Sequence, residues 1–151
     1  MREIGLPIKP EFIVAGDHRL EGGRRALQEL CKLREQPTAL LCSNDMTAIG
    51  VLRQAYEMGI GVPKDLSLVG FDDIRMADFV IPPLTTVQMS QTELARLAFD
   101  ALLNEVKREI PTPDGTEYVL KTQLILRGST TFPASHGRPQ ASPTLKRPAQ
   151  T

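Results

Sequence analysis

The sequence has few of the residues that most often carry covalent or metal chemistry. It has no tryptophan, two cysteines and two histidines among 151 residues, and aromatic residues make up only 5%. Cys31 and Cys42 have no metal-ligand spacing, so we interpret both as small buried apolar residues. The sequence also lacks an apolar run long enough for a membrane span or an amino-terminal signal peptide, which predicts a cytoplasmic protein without a membrane partner.

Positive charge is not in excess, which argues against direct binding of this chain to nucleic acid. The 18 basic residues equal the 18 acidic ones, so the formal net charge is zero. No predicted helix has a stripe of lysine and arginine. The composition that is present, 41% hydrophobic and 24% charged, is typical of a globular domain with one core. Residues 133–151 are rich in Pro, Ser and Ala without periodicity, and we expect them to be disordered.

Strands that alternate with helices are the clearest pattern along the chain. Apolar runs at residues 38–42 and 66–71 are typical of strands covered on both faces, and residues 46–58 have a helical period. We further predict strands at residues 12–15 and 84–87, helices at about 20–34 and 90–106, and one bent or two short closing strands within 118–126. Ser90 and Glu93 form a capping box for the last helix. These elements predict an α/β fold with a parallel sheet flanked by helices.

A polar pair follows each of three predicted strands. The pairs are Asp17-His18, Asn44-Asp45 and Asp72-Asp73. In open parallel sheets, ligands bind outside the carboxyl ends of the strands, so we expect the three pairs to converge on one small-molecule pocket. Carboxylate and amide groups suit polyols, because a carboxylate accepts hydrogen bonds from two neighbouring hydroxyls.

Each pair also has an explanation without a ligand. Asn44 or Asp45 can cap the helix that follows them, and Asp17 can cap the first predicted helix in the same way. His18 can be an ordinary loop residue, and Asp73 can stabilise a turn. An enzyme is not indicated, because the sequence offers no convincing nucleophile with a base, phosphate-binding glycine loop or metal-ligand cluster. We therefore predict no catalytic activity, no cofactor and no metal.

Several segments resemble the lactose-repressor (LacI/GalR) family of bacterial transcriptional regulators. The resemblance is carried by residues 37–39, 44–50, 59–73 and 82–87, and by the closing Arg127-Gly128-Ser129-Thr130. It covers about residues 4–130. It implies a type I fold like that of periplasmic binding proteins, of which this chain has the C-terminal subdomain and the crossover elements of an incomplete N-terminal subdomain.

The resemblance implies roles for individual residues. Asp72 matches an acidic residue that binds effector hydroxyls, Asn44 matches an amide contact, and His18 stands where relatives often have an aromatic ring. Met89 stands where several relatives have a polar contact. In such regulators the effector binds between two subdomains and changes the DNA-binding geometry of a dimer. The implied partners are a small effector such as a sugar, a second copy, and DNA through a helix-turn-helix domain absent from this chain.

The resemblance also divides the chain and places a dimer surface. Residues 1–83 would be the C-terminal subdomain, 84–117 a crossover strand and helix that pack on the N-terminal subdomain, 118–132 closing strands, and 133–151 the tail. Ile49, Arg53 and Val80 would form the dimer contact. Two other interpretations stay open: a sugar-binding receptor of a transporter, and an inert fragment of a split or truncated gene. A regulator is favoured because residues 63–87 resemble repressors more than transport receptors.

Overall fold

The computed structural model describes residues 9–107 and 117–132, and the predicted tail at 133–151 lies outside them. A short 3-10 helix at Pro10–Phe12 comes first. The helices are α1 (Leu20–Leu30), α2 (Asp45–Glu57), α3 (Met76–Phe79) and α4 (Gln91–Val106). The strands are β1 (Ala39–Leu41), β2 (Ser67–Phe71), β3 (Thr85–Met89) and β4 (Thr122–Ile125). No helix within the described ranges has the length and apolar character needed to cross a bilayer.

The four strands form one mixed sheet in the order β1-β2-β3-β4. Strands β1, β2 and β3 are parallel, with Leu40 opposite Leu68 and Val69 opposite Thr85. Strand β4 runs antiparallel to β3 and places Thr86 opposite Ile125. The predicted α/β class is confirmed, and the helix between β1 and β2 is the crossover that parallel strands require.

Two helices pack together closely enough to require glycine at the contact. A Cβ on Gly23 of α1 would lie 2.0 Å from the carbonyl oxygen of Thr47, and a Cβ on Gly50 of α2 would lie 2.0 Å from that of Leu20. The glycines that weaken α1 locally therefore allow it to approach α2. The apolar core lies beside this contact and along the sheet, and its fully buried members include Ala48, Val51, Leu68 and Leu84.

The predicted strand at residues 12–15 is wrong. Phe12 ends the 3-10 helix, residues 13–17 have no regular structure, and the Ile13 side chain is 69% exposed. Within the described residues, β1 pairs only with β2, so this apolar run has no neighbouring strand to satisfy its backbone groups. Helix α1 also ends earlier than predicted, at Leu30, and only residues 122–125 of the predicted closing segment form a strand.

The predicted crossover segment divides into a buried strand and an exposed helix. Thr85 and Thr86 of β3 are fully buried in the sheet. Helix α4 has no buried residue, although Phe99, Leu102 and Val106 are apolar and at least 60% exposed. A helix with such a face normally packs on another surface. The packing of this segment on an N-terminal subdomain remains a prediction.

Candidate functional site

Loops at the carboxyl ends of β1 and β2 form the candidate site. The loop before α1 is tied to the loop after β1 by two contacts of His18. The Asn44 side-chain amide donates to the His18 carbonyl oxygen at 3.0 Å, and Ser43 Oγ lies 3.2 Å from His18 Nδ1. The loop after β2 begins with Asp72, whose backbone N–H donates to the Val87 carbonyl at 2.9 Å. The three predicted clusters therefore lie at the same edge of the sheet.

Asn44 is the N-cap of α2. Its Oδ1 accepts a hydrogen bond from the Thr47 N–H at 2.9 Å, while its Nδ2 donates to His18. These two bonds fix which end of the amide is oxygen. One lone pair of Oδ1 and one hydrogen of Nδ2 remain for another partner. The explanation by capping is therefore correct, and it leaves Asn44 some capacity to touch a ligand.

Asp72 has the most available carboxylate of the predicted site. Its residue is half-buried, and its carboxylate has no hydrogen-bond or ion-pair partner within residues 9–107 and 117–132. Burial raises the pKa of Asp72, the nearby Asp45 carboxyl raises it further, and His18 acts in the opposite direction. A partly desolvated carboxyl without a protein partner is a suitable acceptor for ligand hydroxyls.

Three residues of these loops have a left-handed backbone. The φ angles are +59° at His18, +111° at Asp72 and +54° at Asp73. They are the non-glycine residues with positive φ in the described part of the chain. Such conformations cost about 1–3 kcal/mol each and persist where the surroundings determine them, commonly at ligand sites. Their concentration here is independent support for a functional site.

Asp73 accepts hydrogen bonds from side chains of β3 and of the segment after β4. Its Oδ1 accepts from Arg127 Nη2 at 2.7 Å, and its Oδ2 accepts from Gln88 Nε2 at 2.6 Å. Adjacent residues of an extended strand point to opposite faces, which would by itself direct Asp73 away from Asp72. Both residues have positive φ, so that reason does not apply. Asp73 is directed by Arg127 and Gln88, whereas the Asp72 carboxylate has no partner in the described residues.

Asp45 is a structural residue whose importance the sequence analysis missed. It is fully buried, with Oδ1 accepting from Thr86 Oγ1 at 2.6 Å and Oδ2 accepting from the Ile74 N–H at 2.9 Å. The carboxyl thus joins the start of α2 to β3 and to the loop after β2. Gly70 leaves room for it, because a Cβ there would lie 2.1 Å from Asp45 Oδ1. A glycine within a strand was the available signal in the sequence.

Metal and thiol chemistry have no support in the described residues. No group of three His, Cys, Asp or Glu side chains is arranged to hold a metal ion there. Cys42 is buried, and burial followed by the charge of Asp45 raises its pKa to about 12. It is therefore an unreactive thiol at neutral pH.

The three residues predicted for a dimer surface differ in exposure. Arg53 is exposed and pairs with Glu57 at 3.0 Å, with its guanidinium 5.9 Å from the Tyr56 ring centre. Ile49 is half-buried on the same helix. Val80, directly after α3, is half-buried and packs against the core. Less of Val80 is thus available to a partner than of Arg53, and the dimer surface remains a prediction.

Comparison with known proteins defines the class. Residues 1–130 match the family of periplasmic binding protein-like domains, and the chain belongs to that family. It is 38% identical over 130 residues to the HTH-type transcriptional repressor CytR of Escherichia coli strain K12, a match that covers 86% of this chain and 38% of CytR. It is also 38% identical over 133 residues to the repressor PurR of Glaesserella parasuis, covering 85% of this chain and 39% of PurR.

Solved structures agree with this assignment. A transcriptional regulator described as LacI from Bacillus cereus subsp. cytotoxis has a TM-score of 0.79 at 28% identity, covering 86% of this chain and 45% of that one. A LacI-family regulator from Lactobacillus casei with bound sucrose has a TM-score of 0.69 at 26% identity, covering 86% and 47%. The chain belongs to the LacI/GalR family, as the sequence predicts. It spans less than half the length of these relatives.

Proposed function

We propose that this region senses a sugar or nucleoside-like effector, with Asp72 as the principal contact. The observation that carries the proposal is the Asp72 carboxyl, which has no partner among residues 9–107 and 117–132 and is held by a left-handed backbone at the same sheet edge as His18 and Asn44. Adjacent hydroxyls of a sugar or ribose can donate to its two oxygens. The sucrose-bound relative from Lactobacillus casei supports a polyhydroxyl ligand.

Asn44 and His18 complete the proposed contact surface. The Asn44 side-chain amide donates one N–H to the His18 carbonyl oxygen, so the two residues meet at the same loop junction. The imidazole of His18 is exposed and is held through Nδ1 by Ser43. It offers the ligand a planar face and the Nε2 atom.

The wider activity is proposed from the family. The relatives are transcriptional repressors. We propose that this chain acts in the cytoplasm as part of a dimeric regulator that contacts DNA through a separate helix-turn-helix domain, with Ile49, Arg53 and Val80 at the dimer surface. The exposed apolar residues of α4 support packing of that helix on a further subdomain. An effector held between the candidate site of this chain and that further subdomain would be shielded from water on both sides.

Ligand titration of Asp72→Ala tests the proposed contact. A panel of common ribonucleosides and of sugars including sucrose is titrated into the 151-residue chain at up to millimolar concentration, with backbone amide shifts as the readout. We expect saturable shifts at residues 18, 43–44 and 72 with at least one compound class. Removing the carboxylate should cost about 2–5 kcal/mol of binding free energy and abolish the shifts.

Asp100→Ala is the matched control. Asp100 lies on α4 and pairs with Arg96 at 3.2 Å on the surface, so its loss removes a carboxylate without touching the loops. Binding by Asp100→Ala should equal that of the unchanged chain. Equal binding by Asp72→Ala would exclude Asp72 as the principal contact, and shifts elsewhere on the sheet would exclude the proposed location.

A further inference from the structure

The Arg127 side chain contacts three residues that follow β2, namely Asp73, Asp78 and Leu84. It follows β4, and its Nη2 donates to Asp73 Oδ1 at 2.7 Å while its Nη1 donates to the Leu84 carbonyl oxygen at 3.0 Å. Its Nε lies 3.4 Å from Asp78 Oδ1. The Arg127 and Asp73 side chains are only 18% and 12% exposed. The guanidinium therefore joins three points of the chain in a partly desolvated setting.

The backbone of Arg127 is held in place by β3. The Arg127 backbone N–H donates to Thr85 Oγ1 at 3.0 Å, and Thr85 is buried in β3. Gln88, also on β3, holds the second oxygen of Asp73 at 2.6 Å. Both carboxylate oxygens of Asp73 are thus bound by side chains that extend from the β3–β4 pair.

Asp73 needs such support because it and Asp72 both have positive φ. An L-residue leaves this region unless its surroundings hold it there. The backbone N–H of Asp72 is held by Val87, and the side chain of Asp73 is held by Arg127 and Gln88. The Asp72 side chain, in contrast, has no partner in the described residues, so its direction depends on the turn.

We propose that Arg127 is a positioning residue for effector binding: through Asp73 it holds the 72–73 turn in its left-handed form and so directs the Asp72 carboxyl toward the His18 loop. The inference rests on the proposed function, because it assigns a purpose to the placement of Asp72. Arg127 itself does not touch the ligand in this arrangement.

The titration of Asp72 is a direct measure of its placement. Carbon-13 NMR of side-chain carboxyls follows Asp72 in the 151-residue chain and in Arg127→Met. Release of the turn would move Asp72 into water and away from both Asp45 and His18. Burial and Asp45 together outweigh the lowering effect of His18, so the raised pKa of Asp72 should fall toward the ordinary aspartate value. Simple loss of a nearby positive charge would instead raise the pKa. The sign of the shift therefore separates positioning from through-space electrostatics.

Asp17 is an internal control for folding in the same spectra. Its pKa is lowered by the Arg19 N–H and by the Arg25 side chain, far along the chain from Arg127. A folded Arg127→Met variant should retain a lowered Asp17 pKa while the Asp72 pKa falls. A folded variant with an unchanged or higher Asp72 pKa would overturn the proposal.

Two further variants keep the proposal testable if Arg127→Met unfolds. Arg127→Lys keeps the charge but cannot reach three acceptors at once, and Gln88→Leu removes one bond to Asp73 without any change in charge. Both should lower the Asp72 pKa by less than Arg127→Met would. No change in either folded variant would contradict the positioning role.

Binding data distinguish failure of this inference from failure of the proposed function. If Arg127 acts only through Asp72, the single substitution Arg127→Lys should weaken binding of the compounds that the chain binds. The same substitution should cause no further loss of binding in a chain that already has Asp72→Asn. An additive loss would overturn the inference and leave the proposed function intact. Unchanged binding by Asp72→Asn alone would overturn the proposed function, whatever the titrations show.

Discussion

Replacing Gly70 by alanine tests the link between the sheet and the buried carboxyl of Asp45. Gly70 is the fourth of the five residues of β2, and an added Cβ there would be 2.1 Å from Asp45 Oδ1 and 3.0 Å from Leu84 Cδ2. Leu84 is fully buried, and Asp45 is held by Thr86 and Ile74. The methyl group can be accommodated only if the carboxyl moves and its hydrogen bonds weaken.

The expected loss of stability has three contributions. Overpacking at a buried site costs about 1–3 kcal/mol. Weakening the hydrogen bond from Thr86 to a carboxylate costs about 1.5–3 kcal/mol more. Restricting the unfolded chain returns about 0.4–1 kcal/mol. We therefore expect Gly70→Ala to lower the free energy of unfolding by about 2–5 kcal/mol, a large share of the stability typical of a small domain.

Urea unfolding followed by circular dichroism measures this loss, with Gly16→Ala as the matched control. A Cβ on Gly16 would meet no atom within 4 Å, and Gly16 does not have a positive φ. That control should be neutral or slightly stabilising. In Gly70→Ala, hydrogen exchange at the Ile74 amide should also accelerate, since its acceptor Asp45 Oδ2 is displaced.

A double-mutant cycle provides the decisive comparison. In an Asp45→Ala background the overlapping oxygen is gone, and Gly70→Ala should cost about 1 kcal/mol or less. An equal cost in both backgrounds, or a loss below about 1 kcal/mol in Gly70→Ala with unchanged Ile74 exchange, would refute the reasoning.

Three further predictions concern the helices, pH and assembly. Gly23→Ala and Gly50→Ala should each lower the free energy of unfolding by about 1–3 kcal/mol in urea titrations, because each added Cβ would overlap a carbonyl group of the facing helix. Unfolding midpoints equal to that of Gly16→Ala would contradict this expectation. Because the pKa of Asp72 is raised on folding, its contribution to stability should fall as pH rises from the ordinary aspartate pKa through the raised value. Asp72→Asn should remove this fall when the free energy of unfolding is measured against pH. An unchanged pH dependence in Asp72→Asn would contradict the raised pKa of Asp72. Ile49→Glu should dissociate the proposed dimer in sedimentation measurements while Lys64→Glu does not, and loss of association in both would argue against a specific surface.

Local chemistry explains which parts of the fold were predictable. Ser90 caps α4 as expected, with Ser90 Oγ accepting from the Glu93 N–H at 3.2 Å. The period of residues 46–58 correctly predicted α2, displaced by one residue. Both signals depend on atoms within one or two helical turns, so neighbouring residues suffice to determine them.

The strand expected at residues 12–15 shows where local pattern is insufficient. Its β-branched residues favour extended structure, but a strand exists only when a neighbour accepts its backbone hydrogen bonds. Ile13 is exposed and the described sheet ends at β1. Apolar pattern alone contains no information about whether that neighbour is present.

The sequence by itself determined the α/β class, and it predicted a shared edge for the polar pairs after β1 and β2, because the carboxyl ends of neighbouring parallel strands meet at one edge. Only the tertiary structure decided the roles within the polar pairs. Asn44 became the cap, whereas Asp45 became buried through Thr86, 41 residues away, and Asp73 was held by Arg127, 54 residues away. The physical reason is that a carboxylate is available to a ligand only where no protein group already donates hydrogen bonds to it. The donors to Asp45 and Asp73 come from residues that are distant in the sequence.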